Sequence, residues 1–351
     1  MEMILGIILV MVAGMLTGTF MWPMKVIHRL SFEHYWFIGM FSGLLLLPWL
    51  IVAFFVPDLG QVIFDVGAKP LLMANFLSAG WGIANVLFGI CIIRIGAALA
   101  GGILTSLGVS TGVLVPMFFK GSGLFEQAPS ILSRPGIIVL IGVGIILAGV
   151  VFIAIAGFGR EKALIKASPD TKSVKSGTFL SGLIMAIIAG ILSSCISLSF
   201  VYSQGPVIAA VKSQGASELV ANVSVWAMGL MGGVLVNLGY PLWLMAKNRS
   251  AKKLFAFSKE TAFAAIIGVQ LLCGAIMLGR GMVLLGILGA SVGFGIQQSL
   301  QIIGNQSVGF ISGEWRGVNG KPRKILFSAI GIFIIAVVIL AYANAIIKGI
   351  S

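Results

Sequence analysis

Apolar runs of about 20 residues dominate this sequence, and an α-helix needs that length to cross the hydrocarbon core of a bilayer. Cutting the chain at charges, prolines and clusters of glycine with polar residues predicts ten such segments. Their approximate bounds are 4–24, 34–56, 70–93, 98–119, 136–157, 177–202, 218–246, 260–279, 282–311 and 325–347. Between the eighth and ninth segments we expect a turn at Gly279, Arg280 and Gly281, because an arginine in mid-membrane is costly. The fold class is therefore an all-α integral membrane protein.

Composition excludes a soluble protein. Charged residues make up 9% of the chain and the mean hydropathy is +1.11, whereas an ordinary soluble domain is about 25% charged. The net charge of +13 lies in short loops between apolar runs, so it indicates membrane orientation and not nucleic-acid binding. Of the 23 Lys and Arg residues, 17 fall in the odd-numbered loops, which places both termini outside the cytoplasm.

The longest hydrophilic loop, Arg160 to Ser176, divides the segments five and five. We therefore predict a first five-helix repeat at 1–157, a cytoplasmic linker at 158–176 and a second repeat at 177–351. Gly14 and Thr17 of the first segment recur as Gly190 and Ser193 of the sixth, although glycine-rich helices also resemble one another by chance. An odd number of helices in each half makes the two repeats inverted, a design common among secondary transporters.

Neutral polar side chains occupy the centres of the segments, whereas all ten acidic residues lie in loops or at segment ends. In the ninth segment Gln297, Gln301 and Asn305 recur every four residues and share one helix face, with Gln298 and Gln306 beside them. Unsatisfied amides in lipid are costly, so this row must face protein or water. Lining a cavity and bonding helices together are both open, and the density of amides favours a cavity for Gln298, Gln301 and Asn305.

Amides, hydroxyls and an aromatic face suit a small, neutral, sugar-like solute, because each sugar hydroxyl both donates and accepts. The midplane site between the repeats is predicted to contain Thr17, Trp81, Asn85, Thr105, Ser106, Ser193, Ser197, Gln298, Gln301 and Asn305. Five other tryptophans lie nearer segment ends and are interpreted as interfacial anchors: Trp22, Trp36, Trp49, Trp226 and Trp243. Lys25 is either an orientation charge or a cytoplasmic gate that pairs with Glu33 or Glu314.

Catalytic signatures are missing from the sequence. No nucleophile triad, metal-ligand cluster or phosphate loop is visible, and His28 and His34 sit at one predicted loop without partners. We therefore expect no enzyme activity, no cofactor and no metal. An exporter of drugs or metabolites with the same fold remains the alternative to sugar transport, and a membrane scaffold or enzyme is a third.

Several local patterns together resemble the L-rhamnose-proton symporter family of the drug/metabolite transporter superfamily. They are Phe20 to Lys25, Leu30 to Glu33 with Trp36, Leu47 to Trp49, Trp81 to Asn85 with Gly89 and Gly96, and Glu314 and Trp315 with Lys321 and Pro322. The resemblance implies a ten-helix transporter of the bacterial inner membrane that moves a deoxy sugar or related solute, with a proton as its coupling ion. The residues carried over are Lys25, Glu33, Trp81, Asn85 and Glu314, and the glycine- and glutamine-rich stretch from Gly279 to Gly313 departs from the family pattern.

Overall fold

The regular structure of the chain is helical throughout the residues described by the computed structural model, which are 2–118, 130–167, 176–256, 258–284 and 294–350. The first seven α-helices are α1 Glu2–Thr19, α2 Phe32–Met40, α3 Leu47–Phe55, α4 Leu59–Val66, α5 Ala68–Ile95, α6 Ala97–Phe118 and α7 Arg134–Ala167. The next seven are α8 Ser176–Ser193, α9 Cys195–Ser213, α10 Glu218–Gly229, α11 Met231–Lys247, α12 Lys259–Leu284, α13 Phe294–Ile311 and α14 Lys321–Ile350. Two 3₁₀ turns, Trp22–Lys25 and Ala251–Phe255, and a π-helical segment, Phe41–Leu46, complete it.

Six helical stretches of the described residues are long and apolar enough to cross a membrane. They are Ile4–Lys25, Phe32–Phe55, Ala68–Ile95, Arg134–Leu164, Phe179–Ser213 and Lys259–Gly281. Counting α10 and α11 as one span bent by 55° gives a seventh. The expected class, an all-α multi-pass membrane protein, is thereby confirmed, whereas ten crossing helices in two inverted repeats stay a prediction.

The turn expected around Arg280 is wrong, because α12 continues through it to Leu284. Arg280 is the last residue but one of the candidate span Lys259–Gly281, and a long side chain near the end of a span can carry its charge to the membrane surface without a turn. Gly281 also has a packing reason to be helical: a β-carbon there would lie 2.7 Å from a methyl group of Val10 on α1. Residues 285–293 of the predicted ninth segment lie outside the described residues.

The helices form two compact units. Unit 1 contains Met1–Thr19, Leu87–Ser193 and Arg280–Ser351, and unit 2 contains Phe20–Val86 and Ser194–Gly279. Each unit therefore draws helices from both predicted halves of the chain. Helices α5 and α12 each continue from one unit into the other along a single helix.

Glycines set the close approaches within unit 1. In this unit α1 packs on α13, α8 on α6, and α7 on α14. A β-carbon on Gly18 of α1 would lie 2.9 Å from the Cα atoms of Gln301 and Gly304 on α13, and one on Gly190 of α8 would lie 2.7 Å from the Cβ of Leu107 on α6. Small residues allow such contacts between backbones, which supply packing energy where lipid offers no hydrophobic drive.

Glycines also set the close approaches between helices within unit 2. A β-carbon on Gly43, in the π-helical segment after α2, would overlap the backbone of Gly268 on α12. One on Gly82 of α5 would lie 2.8 Å from the Cα of Gly233 on α11. The rest of the unit packs α3, α4, α9 and α10 around a cluster of buried valines and alanines that includes Val207.

Candidate functional site

The amide row predicted in the ninth segment lies on α13 and faces protein within unit 1. Gln297 Nε2 donates to Thr17 Oγ1 of α1 at 3.0 Å and to Gln301 Oε1, one turn further along α13, at 2.9 Å. Gln297 and Asn305 are buried, and Gln301 is half-buried. The row therefore ties α13 to α1 instead of facing lipid.

Thr105 brings a third helix into the network. Its hydroxyl oxygen, on α6, accepts from Gln301 Nε2 at 3.4 Å and from Asn305 Nδ2 at 3.3 Å. Thr105 is 3% exposed, so these bonds form away from water. Four of the residues expected in the site, Thr17, Thr105, Gln301 and Asn305, are thus brought together, with Gln297 linking them.

The network leaves hydrogen-bond acceptors unused. The side-chain oxygens of Gln297 and Asn305 are buried without a partner, and so is that of Gln306, whose Nε2 donates to the backbone oxygen of Ala98 at 2.8 Å. A buried carbonyl without a donor costs about 1–3 kcal/mol, so such oxygens favour a donor-bearing solute or water. A sugar hydroxyl is a donor of this kind.

Glycines bring the helix backbones close to these amides. A β-carbon on Gly14 would lie 2.6 Å from the Cβ of Leu300, and one on Gly101 of α6 would overlap the Asn305 side chain. The space beside the amide row is therefore narrow, and its shape is fixed by backbone. Gly14 and Gly101 therefore have a packing role at the site.

Unit 2 contains a second amide network. Asn237 Oδ1 on α11 accepts from Asn85 Nδ2 on α5 at 2.9 Å and from Trp36 Nε1 on α2 at 3.2 Å, and Asn237 Nδ2 donates to Gly233 O at 2.9 Å. Trp36 is fully buried, so its interpretation as an interfacial anchor is wrong: its indole N–H reaches an amide oxygen inside the unit. Trp81 is half-buried, and its ring packs on Gly233.

The other expected site residues make local contacts or lie beside the network. Ser106 donates to Gly102 O of its own helix at 2.7 Å, and Ser193 donates to Gly190 O at 2.6 Å. Gln298 is 9% exposed. Ser197 belongs to α9, but its side chain is outside the described residues.

The expected gating residues lie near loops and helix ends, where the two carboxylates accept hydrogen bonds. Glu33 is 6% exposed and accepts from Asn248 Nδ2 at 3.1 Å and Ser250 Oγ at 3.3 Å. Glu314 accepts from the backbone nitrogens of Ala97 and Ala98 at 2.7 and 3.3 Å, where a carboxylate offsets the positive end of α6. Lys25, at the end of the first 3₁₀ turn, is half-buried.

A comparison with protein-family models decides the family. The model of the L-rhamnose-proton symport protein family matches residues 1–349, nearly the whole chain. The chain belongs to this family. The family expectation drawn from the sequence is confirmed, and because the family consists of transporters, so is the expectation that the chain is not an enzyme.

Individual relatives of this symporter family agree. The L-rhamnose-proton symporter of Yersinia pestis (strain Pestoides F) is 26% identical over 331 residues, covering 92% of this chain and 93% of the relative. The symporter of Yersinia pseudotuberculosis serotype O:1b (strain IP 31758) gives the same values. That of Yersinia pestis bv. Antiqua (strain Antiqua) is 28% identical over 275 residues, covering 76% and 77% of the two chains. No solved structure matches.

Two polar residues of this symporter-family chain escaped the sequence reasoning. Asn237 stands alone in an apolar run, yet it accepts two side-chain hydrogen bonds. His34 is not in a loop without partners: it lies in the first turn of α2, is fully buried, and its Nε2 is 3.0 Å from Ser250 O. A single polar residue within an apolar segment is a usable signal, because lipid offers it no partner.

Proposed function

We propose that this protein imports L-rhamnose or a closely related neutral sugar across the bacterial inner membrane, by alternating access and with a proton as its coupling ion. The observation that carries the proposal is the Gln297–Gln301–Asn305 network with its unused acceptor oxygens. Membership of a symporter family whose relatives are named for L-rhamnose and protons supports it.

The chemistry of the network fits a neutral polyol. Thr17, Thr105, Gln297, Gln301 and Asn305 carry no charge, so they offer nothing that would favour an anionic or cationic solute. The amide oxygens of Gln297 and Asn305 accept sugar O–H groups, and Gln301 between them is only half-buried. Trp81 and Asn85 of unit 2, together with Ser193, Ser197 and Gln298, remain proposed contributors, whereas the hydroxyl of Ser106, which was expected in the site, is engaged by Gly102 of its own helix.

The packing pattern supports ten helices in two inverted repeats. Numbered as the ten predicted segments, helix 1 packs on helix 9 and helix 6 packs on helix 4 in unit 1. In the structure these pairs are α1 with α13 and α8 with α6. Unit 2 packs helix 3 on helix 7 at Gly82 and helix 8 on helix 2 at Gly268. Exchanging the two halves, 1–157 and 177–351, converts the pair 1 and 9 into the pair 6 and 4, and the pair 3 and 7 into the pair 8 and 2. Such pairing is expected of repeats, and an odd number of helices per repeat makes them inverted.

Orientation and gating complete the proposal. The excess of Lys and Arg in the odd-numbered loops places those loops in the cytoplasm and both termini in the periplasm. A reporter fused after Ser351 should therefore be active only outside the cytoplasm, and cytoplasmic activity would refute the orientation. In this orientation Lys25, Glu33 and Glu314 belong to the cytoplasmic end, where we place the gate.

Uptake into membrane vesicles tests the proposal directly. Radiolabelled L-rhamnose should accumulate when the outside is acidic and should only equilibrate when a protonophore removes the gradient. Asn85→Ala and Gln301→Ala should reduce accumulation about tenfold at unchanged protein level, and Gly331→Ala, which adds a methyl group in open space on α14, is the matched control. No accumulation or counterflow with any of a broad sugar panel refutes the proposal, and increased drug resistance on overexpression would instead favour an exporter.

A further inference from the structure

Proton coupling requires a side chain that takes up and releases a proton, and few buried candidates exist in the described residues. Among side chains less than a tenth exposed there, Glu33 and His34 are the carboxylate and the imidazole. They are neighbours in the first turn of α2, and the backbone nitrogen of His34 bonds to Ser31 O. The two side chains are thus candidates for a proton site.

The geometry fixes the proton arrangement on the imidazole. His34 Nε2 is 3.0 Å from the backbone oxygen of Ser250, and since a carbonyl oxygen only accepts, Nε2 must carry the hydrogen. Nδ1 of a neutral ring is then a lone pair. In this structure that atom is buried and has no hydrogen-bond partner. His34 therefore presents one vacant basic site, and the residue before it in α2 is the buried carboxylate Glu33.

Glu33 differs from its neighbour, because one of its two carboxylate oxygens is already in use. Glu33 Oε1 accepts from Asn248 and from the hydroxyl of Ser250, both of which stabilise the charged form. Ser250 is thus bonded to both members of the pair, through its hydroxyl to Glu33 and through its carbonyl to His34. A carboxylate in this position is a fixed counter-charge for an imidazolium.

We infer that His34 exchanges the coupling proton at Nδ1, with Glu33 as its counter-charge, an inference that rests on the proposed symport. On loading, Nδ1 takes a proton from hydronium to give imidazolium and water, and on unloading it returns the proton to water. Nδ1 is buried here, so exchange occurs in the state in which α2 and the Asn248–Ser250 turn separate.

The charged groups on the elements packed against α2 are exposed, so the buried Glu33 is the counter-charge of His34. The charged residues at the end of α11 and on the second 3₁₀ turn are Lys247, Arg249, Lys252 and Lys253, all exposed. Lys247 Nζ lies 5.1 Å from the centre of the Trp243 ring. On the loop before α2, Arg29 and His28 are exposed, and Glu260 of α12 accepts from that loop's backbone nitrogens. Solvent screens the exposed charges far more than it screens the buried pair.

Protonation at this position would be transmitted to the amide network of unit 2. Helix α2 carries Trp36 and helix α11 carries Asn237, which bond to each other. The same two helices are tied at one end by the contacts of Glu33 and His34 to the turn after α11. A proton on His34 changes the charge at these contacts. A local change of charge of this kind shifts the equilibrium between two packing arrangements of the helices.

The decisive experiment separates exchange from accumulation in vesicles. His34→Gln should lower gradient-driven L-rhamnose accumulation at least tenfold, while exchange of labelled for unlabelled sugar at equal pH stays within about threefold and loses its dependence on pH. His28→Gln, which removes an exposed histidine of the preceding loop, is the matched control and should still accumulate sugar.

Each other outcome is decisive as well. Full accumulation by His34→Gln refutes the assignment while leaving the symport proposal intact, and equal loss of accumulation and exchange in a folded variant assigns His34 a structural role only. If His34→Gln is not recovered from the membrane, His34→Asn is measured in the same way, and failure of both to fold likewise counts as a structural role. Wild-type vesicles that neither accumulate nor exchange any sugar refute both proposals together.

Discussion

Replacing Thr105 by valine tests whether the amide network is pre-organised for a sugar. The substitution keeps the shape of the side chain and removes the oxygen that accepts from Gln301 at 3.4 Å and from Asn305 at 3.3 Å. Interhelical hydrogen bonds in a membrane protein contribute about 0.6 kcal/mol each on average. The two bonds together therefore stabilise the observed orientation of the two amide side chains by about 1.2 kcal/mol. If binding must restore that orientation, Kd for the sugar rises about sevenfold, since 1.4 kcal/mol is about tenfold.

Ser106→Ala is the matched control for this measurement. Ser106 is the next residue on α6 and equally buried, but its hydroxyl bonds to Gly102 of the same helix and to no amide of α13. Binding of L-rhamnose to purified protein, followed by a ligand-dependent thermal shift or by titration calorimetry, should give a Kd within about twofold of wild type for this variant. Equal affinities for Thr105→Val and Ser106→Ala would refute the argument that the network orients the sugar acceptors.

Three further substitutions test the packing and the buried polar contacts by thermal unfolding in detergent. Gly268→Val places a side chain against the backbone of α2 and should cost at least about 3 kcal/mol, whereas Gly331→Val, in open space, should cost less than about 1 kcal/mol. Asn237→Leu leaves the buried Trp36 Nε1 without an acceptor and Asn85 Nδ2 with only the weak acceptor Met40 Sδ, so it should cost about 2–4 kcal/mol. Glu314→Gln removes a charge at the start of α6 and should cost about 0.3–1 kcal/mol. Comparable melting temperatures for the two valine variants would contradict the close helix contact.

Hydrophobic length and polar periodicity made much of the architecture accessible from sequence. Gln297, Gln301 and Asn305 share a helix face whatever the rest of the fold does, and lipid cannot satisfy their amides, so contact with protein or water was predictable. The sequence did not predict which residue would contact these amides, because Thr105 is 196 positions from Gln301 and the pairing depends on how the helices pack. Sequence reasoning therefore supplied candidates for both sides of the network without their connections.

Position within a segment misled the sequence reasoning at two sites. Trp36 was expected at the interface because it lies near a segment end, but its ring is fully buried and bonded to Asn237. Arg280 was expected to force a turn, but a long side chain on an exposed helix face can carry its charge to water without breaking the helix. Both outcomes depend on the rotation of the helix about its axis, which segment ends and hydropathy do not determine.

The two amide networks differ in a way that bears on function. In unit 2, Asn237 has its oxygen and its nitrogen engaged, and none of the buried unpaired atoms of the described residues belongs to Asn85, Trp36 or Asn237. In unit 1, Gln297 and Asn305 each keep a buried oxygen without a donor. A side chain with both its oxygen and its nitrogen engaged, as in Asn237, gains nothing from a solute, whereas a buried oxygen without a donor is stabilised by any group that supplies one. The network on α13 is therefore the centre of the sugar site that we propose, and Asn237 is better suited to holding its helices together.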